Sequence, residues 1–109
     1  MSIFKAKKKA EDDKDIEVML SFYHEDVEFV RHQTGTSLTK PEFKEMVTDM
    51  FAHASFDRLM VRCIYENDDI LVEHFVMRFP DGTRESVLVV NTLENGQVIR
   101  QETGATLMK

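Results

Sequence analysis

The sequence predicts an α+β fold: a curved antiparallel β-meander sheet packed on two or three helices. Three observations carry this reading. A capping box in mid-chain opens a helix with a single apolar stripe. Strand-like runs follow it, separated by turn-forming pairs. The resulting order, helix, strand, helix and then a meander, gathers the helices on one face of a sheet. At 109 residues the chain has the size of one domain, so a single domain over residues 1–109 is expected, with 1–10 loosely ordered or briefly helical.

Each element rests on a local signal. Ile16, Met19, Leu20 and Tyr23 recur at helical spacing, which predicts a helix from about Ala10 to Tyr23. Asp26–Arg31 reads as a short strand with Val27, Phe29 and Arg31 on one side, and His32–Leu38 as a loop. In Thr39-Lys40-Pro41-Glu42, the Thr39 hydroxyl can accept from the Glu42 amide while the Glu42 carboxylate accepts from the Thr39 amide. Pro41 lies in the first turn, where its missing N–H costs nothing. Phe43, Met46, Val47, Met50 and Phe51 then form the stripe of a helix reaching about Ala54. Strands are expected over Arg58–Tyr65, Ile70–Phe79, Arg84–Leu93 and Gln97–Leu107, joined at Asn67-Asp68, Asp81-Gly82 and Asn95-Gly96.

Two-residue loops at all three turns would fix the register. They set Cys63 opposite Val72, Val61 opposite His74, His74 opposite Val89, and Val89 opposite Glu102. One face would then carry His74, Val89, Asn91, Arg100 and Glu102, and the other Leu71, Glu73, Phe75, Leu88 and Val90. Both faces hold apolar residues, so helices should cover one and a second copy of the chain the other: a homodimer through the sheet face.

Composition narrows the partners. With 14 Lys and Arg against 20 Asp and Glu, the net charge of −6 argues against nucleic acid. The run Lys5, Lys7, Lys8 and Lys9 is followed at once by Glu11, Asp12, Asp13 and Asp15, and reads as a solvated terminal segment. Cys63 is the single cysteine, which forbids an internal disulfide and fits a small buried hydrophobe in a reducing compartment. No apolar run could span a bilayer and no signal-peptide core follows the first lysines, so a cytoplasmic location without membrane contact is expected. His24, His32 and His53 have no metal-ligand spacing and there is no Gly-rich phosphate loop; neither metal nor cofactor is expected.

One stretch resembles a known family. Asp15-Ile16-Glu17 through Tyr23-His24-Glu25-Asp26-Val27-Glu28-Phe29, a helix ending in Tyr, an acidic pair and a short strand, looks like the start of NTF2-like proteins. Leu93-Glu94-Asn95-Gly96-Gln97-Val98-Ile99 is similar to a later hairpin of that superfamily, which includes SnoaL-like cyclases, ketosteroid isomerases and non-enzymes such as nuclear transport factor 2. The resemblance covers about Asp15 to Leu107 and implies an NTF2-like cone with an apolar pocket and a shortened first helix. It sets Arg31 where the isomerases keep their base, Val89 where they keep a second acid, and a position near Lys7 where they keep a tyrosine. Without either carboxyl group, the isomerase mechanism is rejected.

The implied pocket face is the one holding Val89. His74 and Glu102 share it in the expected register and could form an acid–base pair, the Glu holding the imidazole tautomer; a polar pair at a subunit interface is the alternative. Arg31 could anchor an anion or pair with Glu102. Tyr23 could offer a hydroxyl at the pocket wall, with Asn91 and Arg100 as cross-strand neighbours beside Val89. Two functions stay open: a pocket protein binding a small, partly apolar molecule, with proton transfer, dehydration or hydrolysis as its chemistry, or a non-catalytic dimerisation or binding module whose pocket is plugged by Phe, Met and Leu.

Overall fold

Local signals placed most elements where the chain forms them. The computed structural model describes residues 2–53 and 57–109. Helices α1 (Ile3–Asp12) and α2 (Ile16–Leu20) precede strands β1 (Tyr23–Arg31) and β2 (Thr36–Leu38). Helix α3 (Lys40–His53) follows, then β3 (Asp57–Glu66), β4 (Ile70–Arg78), β5 (Arg84–Glu94) and β6 (Gln97–Met108). They form one six-stranded sheet in the order β2-β1-β6-β5-β4-β3. The meander is antiparallel as expected, while β1 joins it by running parallel to β6.

The first expected helix is in fact two. The break falls at Asp13-Lys14-Asp15, where Lys14 takes a positive φ of 55°. Asp15 then caps α2, accepting from the Val18 amide at 3.2 Å. Short polar residues compete for backbone hydrogen bonds in this way and end helices that apolar spacing alone would continue. Tyr23 consequently opens β1 instead of closing a helix. Upstream, Ser2 caps α1, and Glu66 at the end of β3 accepts from the amides of Ile3 and Phe4 at 2.8 and 3.3 Å. The stretch expected as a loop also contains β2, which turns back at Gly35 (φ 68°) and pairs Thr36–Leu38 with Phe29–Arg31.

The capping box forms as its residues demand. Glu42 Oε1 accepts from the Thr39 amide at 2.9 Å, and Thr39 Oγ1 accepts from the Glu42 amide at 3.4 Å. The Thr39 amide, together with the Thr39 hydroxyl, which donates to the same oxygen at 3.0 Å, holds the Glu42 carboxyl below the usual carboxylate range. The expected end near Ala54 lies outside the described residues. The stripe of α3 packs on the sheet: Val47 is buried, Phe43 stacks on Phe29 with centroids 3.8 Å apart, and Tyr23 lies against both. Burying one such large apolar side chain is worth about 1.5–3 kcal/mol.

The register differs from expectation, and the reason is countable. Phe79 N–H donates to Thr83 O and Gly82 N–H to Phe79 O, so the β4–β5 loop holds Pro80, Asp81 and Gly82, with Gly82 at φ 87°. That is a three-residue loop, and it slides β4 by one position: His74 faces Leu88, and Val89 faces Glu73. The Asn95-Gly96 turn does have two residues, with φ of 52° and 78°, but β6 bulges beyond it, so Glu102 faces Val90 and Val89 faces Thr103. Strand β3 is irregular twice, which leaves Cys63 opposite Glu73 and Arg62 opposite His74. Cys63 is exposed on this edge strand, not buried.

A one-residue slip turns every side chain of a strand over. The face toward the helices therefore carries Leu71, Glu73 and Phe75 from β4, Val87, Val89 and Asn91 from β5, and Gln101 and Thr103 from β6. The outer face carries Val72, His74, Leu88, Val90 and Glu102. No helix among the described residues is long and apolar enough to cross a membrane.

Candidate functional site

Between α3 and the inner face of the sheet lies a cavity of two adjoining lobes. The outer lobe encloses about 260 Å³ and is walled by Phe29, Leu38, Val87 and Ala105. The inner lobe encloses about 180 Å³ and reaches α1. Phe43, Met46 and Met50 from α3 and Phe75, Met77 and Thr103 from the sheet border both. The α3 stripe thus has two uses: part of it fills the core, and the methionines and Phe43 leave the space open.

The floor of the inner lobe is polar. Lys7 on α1 is buried and its Nζ lies 3.1 Å from Glu73 Oε2 on β4. Glu73 also accepts from Asn91 Nδ2 at 2.8 Å, and Asn91 Oδ1 accepts from Gln101 Nε2 at 2.8 Å. Gln101 donates in addition to the Tyr23 hydroxyl at 3.0 Å. One connected network therefore joins α1, β1, β4, β5 and β6 beneath the cavity. Beside it, Arg58 donates to Glu11 Oε2 at 3.3 Å and lies over the Phe75 ring.

Two ionisations are displaced here. Burial disfavours the Lys7 ammonium, but Tyr23, Glu11 and Glu73 outweigh it and hold the group above its ordinary value. Lys7 is a fixed cation. Burial pushes the Tyr23 phenol up to about 12, helped by Glu11 and Glu73 and opposed by Lys7 and the Gln101 hydrogen bond. Tyr23 is therefore a protonated hydroxyl at neutral pH. It accepts from Gln101, and its own proton has no acceptor among the described residues, so it can donate into the cavity.

The residues picked out from sequence divide between the two faces. Tyr23 and Val89 line the inner lobe, and Arg31 stands exposed at the rim of the outer one. Asn91 lies behind the wall, fully buried in the floor network. His74, Glu102 and Arg100 border neither lobe. His74 Nδ1 accepts from Arg62 Nε at 3.2 Å, which leaves Nε2 to carry the ring proton toward Ser86 Oγ at 2.8 Å. Glu102 meets His32 Nε2 at 3.0 Å and Arg100 Nε at 3.4 Å, and the hydrogen bond from His32, followed by Arg100, lowers its pKa. Arg100 also pairs with Glu28. Both face outward, yet the structure does not bring His74 and Glu102 together: the loop and the bulge shift β4 and β6 in opposite senses, so His74 stands in line with Leu88 and Gly104 while Glu102 stands in line with Val90 and Val72.

Sequence reasoning missed Lys7, Glu11, Glu73 and Gln101. Lys7 was placed in a solvated segment, yet it is 3% exposed. The available signals were a charge inside the apolar run Leu71-Val72-Glu73-His74-Phe75-Val76, and Lys7 one turn from Glu11 on the helix face of Ala10. Among the described residues no group of His, Cys, Asp and Glu is disposed to hold a metal ion.

Comparison with known proteins agrees with this architecture. Residues 8–101 match the SnoaL-like domain family. A candidate ketosteroid isomerase from Kribbella flavida DSM 17836 superposes with a TM-score of 0.79 at 13% identity, over 96% of this chain and 76% of that one. TerC, co-crystallized with polyporic acid, gives 0.73 at 23% identity over 93% and 86%. A SnoaL-like protein of unknown function from Burkholderia thailandensis E264 gives 0.70 at 14% over 94% and 90%. At such identities these likenesses establish the NTF2-like cone and nothing finer. No curated protein matches the chain.

Proposed function

The chain belongs to the SnoaL-like domain family, and we propose that it holds a small, largely apolar molecule in the cavity between α3 and the sheet. What supports this is the make-up of that cavity: apolar walls over a buried polar floor. An apolar cavity of about 150 Å³ holds a benzene. An inner lobe of about 180 Å³ therefore takes one ring, and the outer lobe takes a second ring or a side chain. Val89 and Met46 would touch the ligand, Tyr23 would donate to an acceptor on it, and Arg31 would meet a polar group at the rim. Lys7 and Asn91 both engage Glu73 and tie that carboxylate into the floor, so the cavity offers an occupant apolar walls and hydrogen bonds.

The test is a thermal-shift screen of one- and two-ring compounds. A ligand that binds only the native state raises the melting temperature, by the equivalent of about 2.7 kcal/mol at a hundred times Kd. A Thr103→Phe variant, filling the boundary between the lobes, should keep its circular dichroism spectrum and lose the shift. No shift with any compound in the wild type would end this reading.

A second reading is a module that pairs with its own copy, and the outer face favours it. Leu88 and Tyr65 are half exposed there, beside Val72 and Val90. In that reading the chain sediments as a dimer at micromolar concentration.

A further inference from the structure

Glu11 supplies the one floor acceptor oxygen left without a donor among the described residues. It lines the inner lobe, and its Oε1 is shielded from solvent without a hydrogen-bond partner among the described residues. Lys7 Nζ lies 3.7 Å from Oε1 and is engaged at 3.1 Å with Glu73; Arg58 donates to the other oxygen, Oε2. A buried carboxylate oxygen without a donor is costly, and a donor brought by the occupant of the cavity would remove that cost.

The charge of the floor points the same way. Lys7 and Arg58 are balanced by Glu11 and Glu73, each cation paired within the floor. A bound anion would meet no uncompensated positive charge and would face the open oxygen of Glu11. A bound hydroxyl or amino N–H would complete it.

We propose that the ligand of the inner lobe is an uncharged aromatic or alicyclic molecule bearing a hydrogen-bond donor, which it gives to Glu11 Oε1. This rests on the pocket reading above and sharpens it: Glu11 selects donor-bearing neutral molecules over anions and over acceptor-only molecules of the same shape. The expectation that an anion is anchored here is replaced for the inner lobe.

Three two-ring probes separate the possibilities at neutral pH: 2-naphthol, 2-methoxynaphthalene, which accepts but cannot donate, and 2-naphthoate, which is anionic. Calorimetric titration of the wild type should give 2-naphthol at least about tenfold tighter than either of the others, the scale of a hydrogen bond to a charged group. In Glu11→Gln the floor loses one negative charge, which leaves two cations against Glu73, and 2-naphthoate should overtake 2-naphthol. Equal binding of 2-naphthol and 2-methoxynaphthalene would mean that Glu11 is served by water and would overturn the proposal. Tightest binding of 2-naphthoate in the wild type would overturn it as well, with the pocket itself intact. If none of the three binds, the pocket reading falls with it. The wild-type ranking decides the matter even if Glu11→Gln does not fold.

Discussion

The inner and outer faces of the sheet carry similar residue types, one position apart in the chain, and they behave differently. Glu73 on the inner face is 3% exposed and held by Lys7 and Asn91. Its neighbour His74 faces outward, and among the described residues its ring bonds only to Arg62 and Ser86 beside it in the sheet. Gln101 is buried against Tyr23 and Asn91, whereas Glu102 meets the more exposed His32 and Arg100. Polar groups that water can reach contribute little when paired, because water competes for them. The same groups away from water must be paired completely, and removing one partner strands the other.

The comparison breaks most visibly at Lys7. Lys7→Met should cost about 3–5 kcal/mol in urea unfolding, because it leaves Glu73 buried without its cation. The double variant Lys7→Met with Glu73→Gln should recover much of that loss. A single-variant cost under about 1 kcal/mol would mean that Glu73 finds water, and that the two faces do not differ as described.

Alkaline pH gives a smaller effect with a definite sign. The Tyr23 phenol has a pKa of about 12 in the fold against an ordinary 10.0. The folded state therefore keeps a proton that the unfolded state has released. The stabilisation is whole below pH 10 and is lost as pH rises toward 12, on the order of 2 kcal/mol. The raised Lys7 loses stabilisation in the same direction. Tyr23→Phe should flatten part of this fall in thermal unfolding between those pH values; an unchanged slope would show that the phenol is not held as its burial implies.

The outer face should answer weakly in stability and strongly in association. His74→Ala and Arg100→Ala should each change stability by less than about 1 kcal/mol. In the reading that pairs two copies through this face, wild type sediments as a dimer and Leu88→Lys as a monomer, with ligand-dependent thermal shifts left in place. Loss of those shifts in His74→Ala would return the site to the face where the unshifted register had put it.

Much of the secondary structure was legible in the sequence, and the candidate site only in part. Thr39-Lys40-Pro41-Glu42, the α3 stripe and the turn pairs were readable because each depends on residues within a few positions of one another. Tyr23, Val89 and Arg31 were singled out from sequence, and they border the cavity. Lys7 was not, because its partner Glu73 lies 66 residues away, and its place one turn from Glu11 beside Ala10 does not tell what covers that helix face.

By itself, then, the sequence determined helix α3, the four meander strands with the turns between them, and an α+β fold, while β2 and the break between α1 and α2 escaped it. Tertiary structure alone decided which side of each strand faces the cavity. Side chains alternate with a period of two, so the facing of a whole strand depends on whether a loop or bulge holds an odd or an even number of residues. The extra residue in the Pro80-Asp81-Gly82 loop and the bulge in β6 are single-residue events. They turned His74 and Glu102 outward and brought Glu73 and Gln101 to the floor.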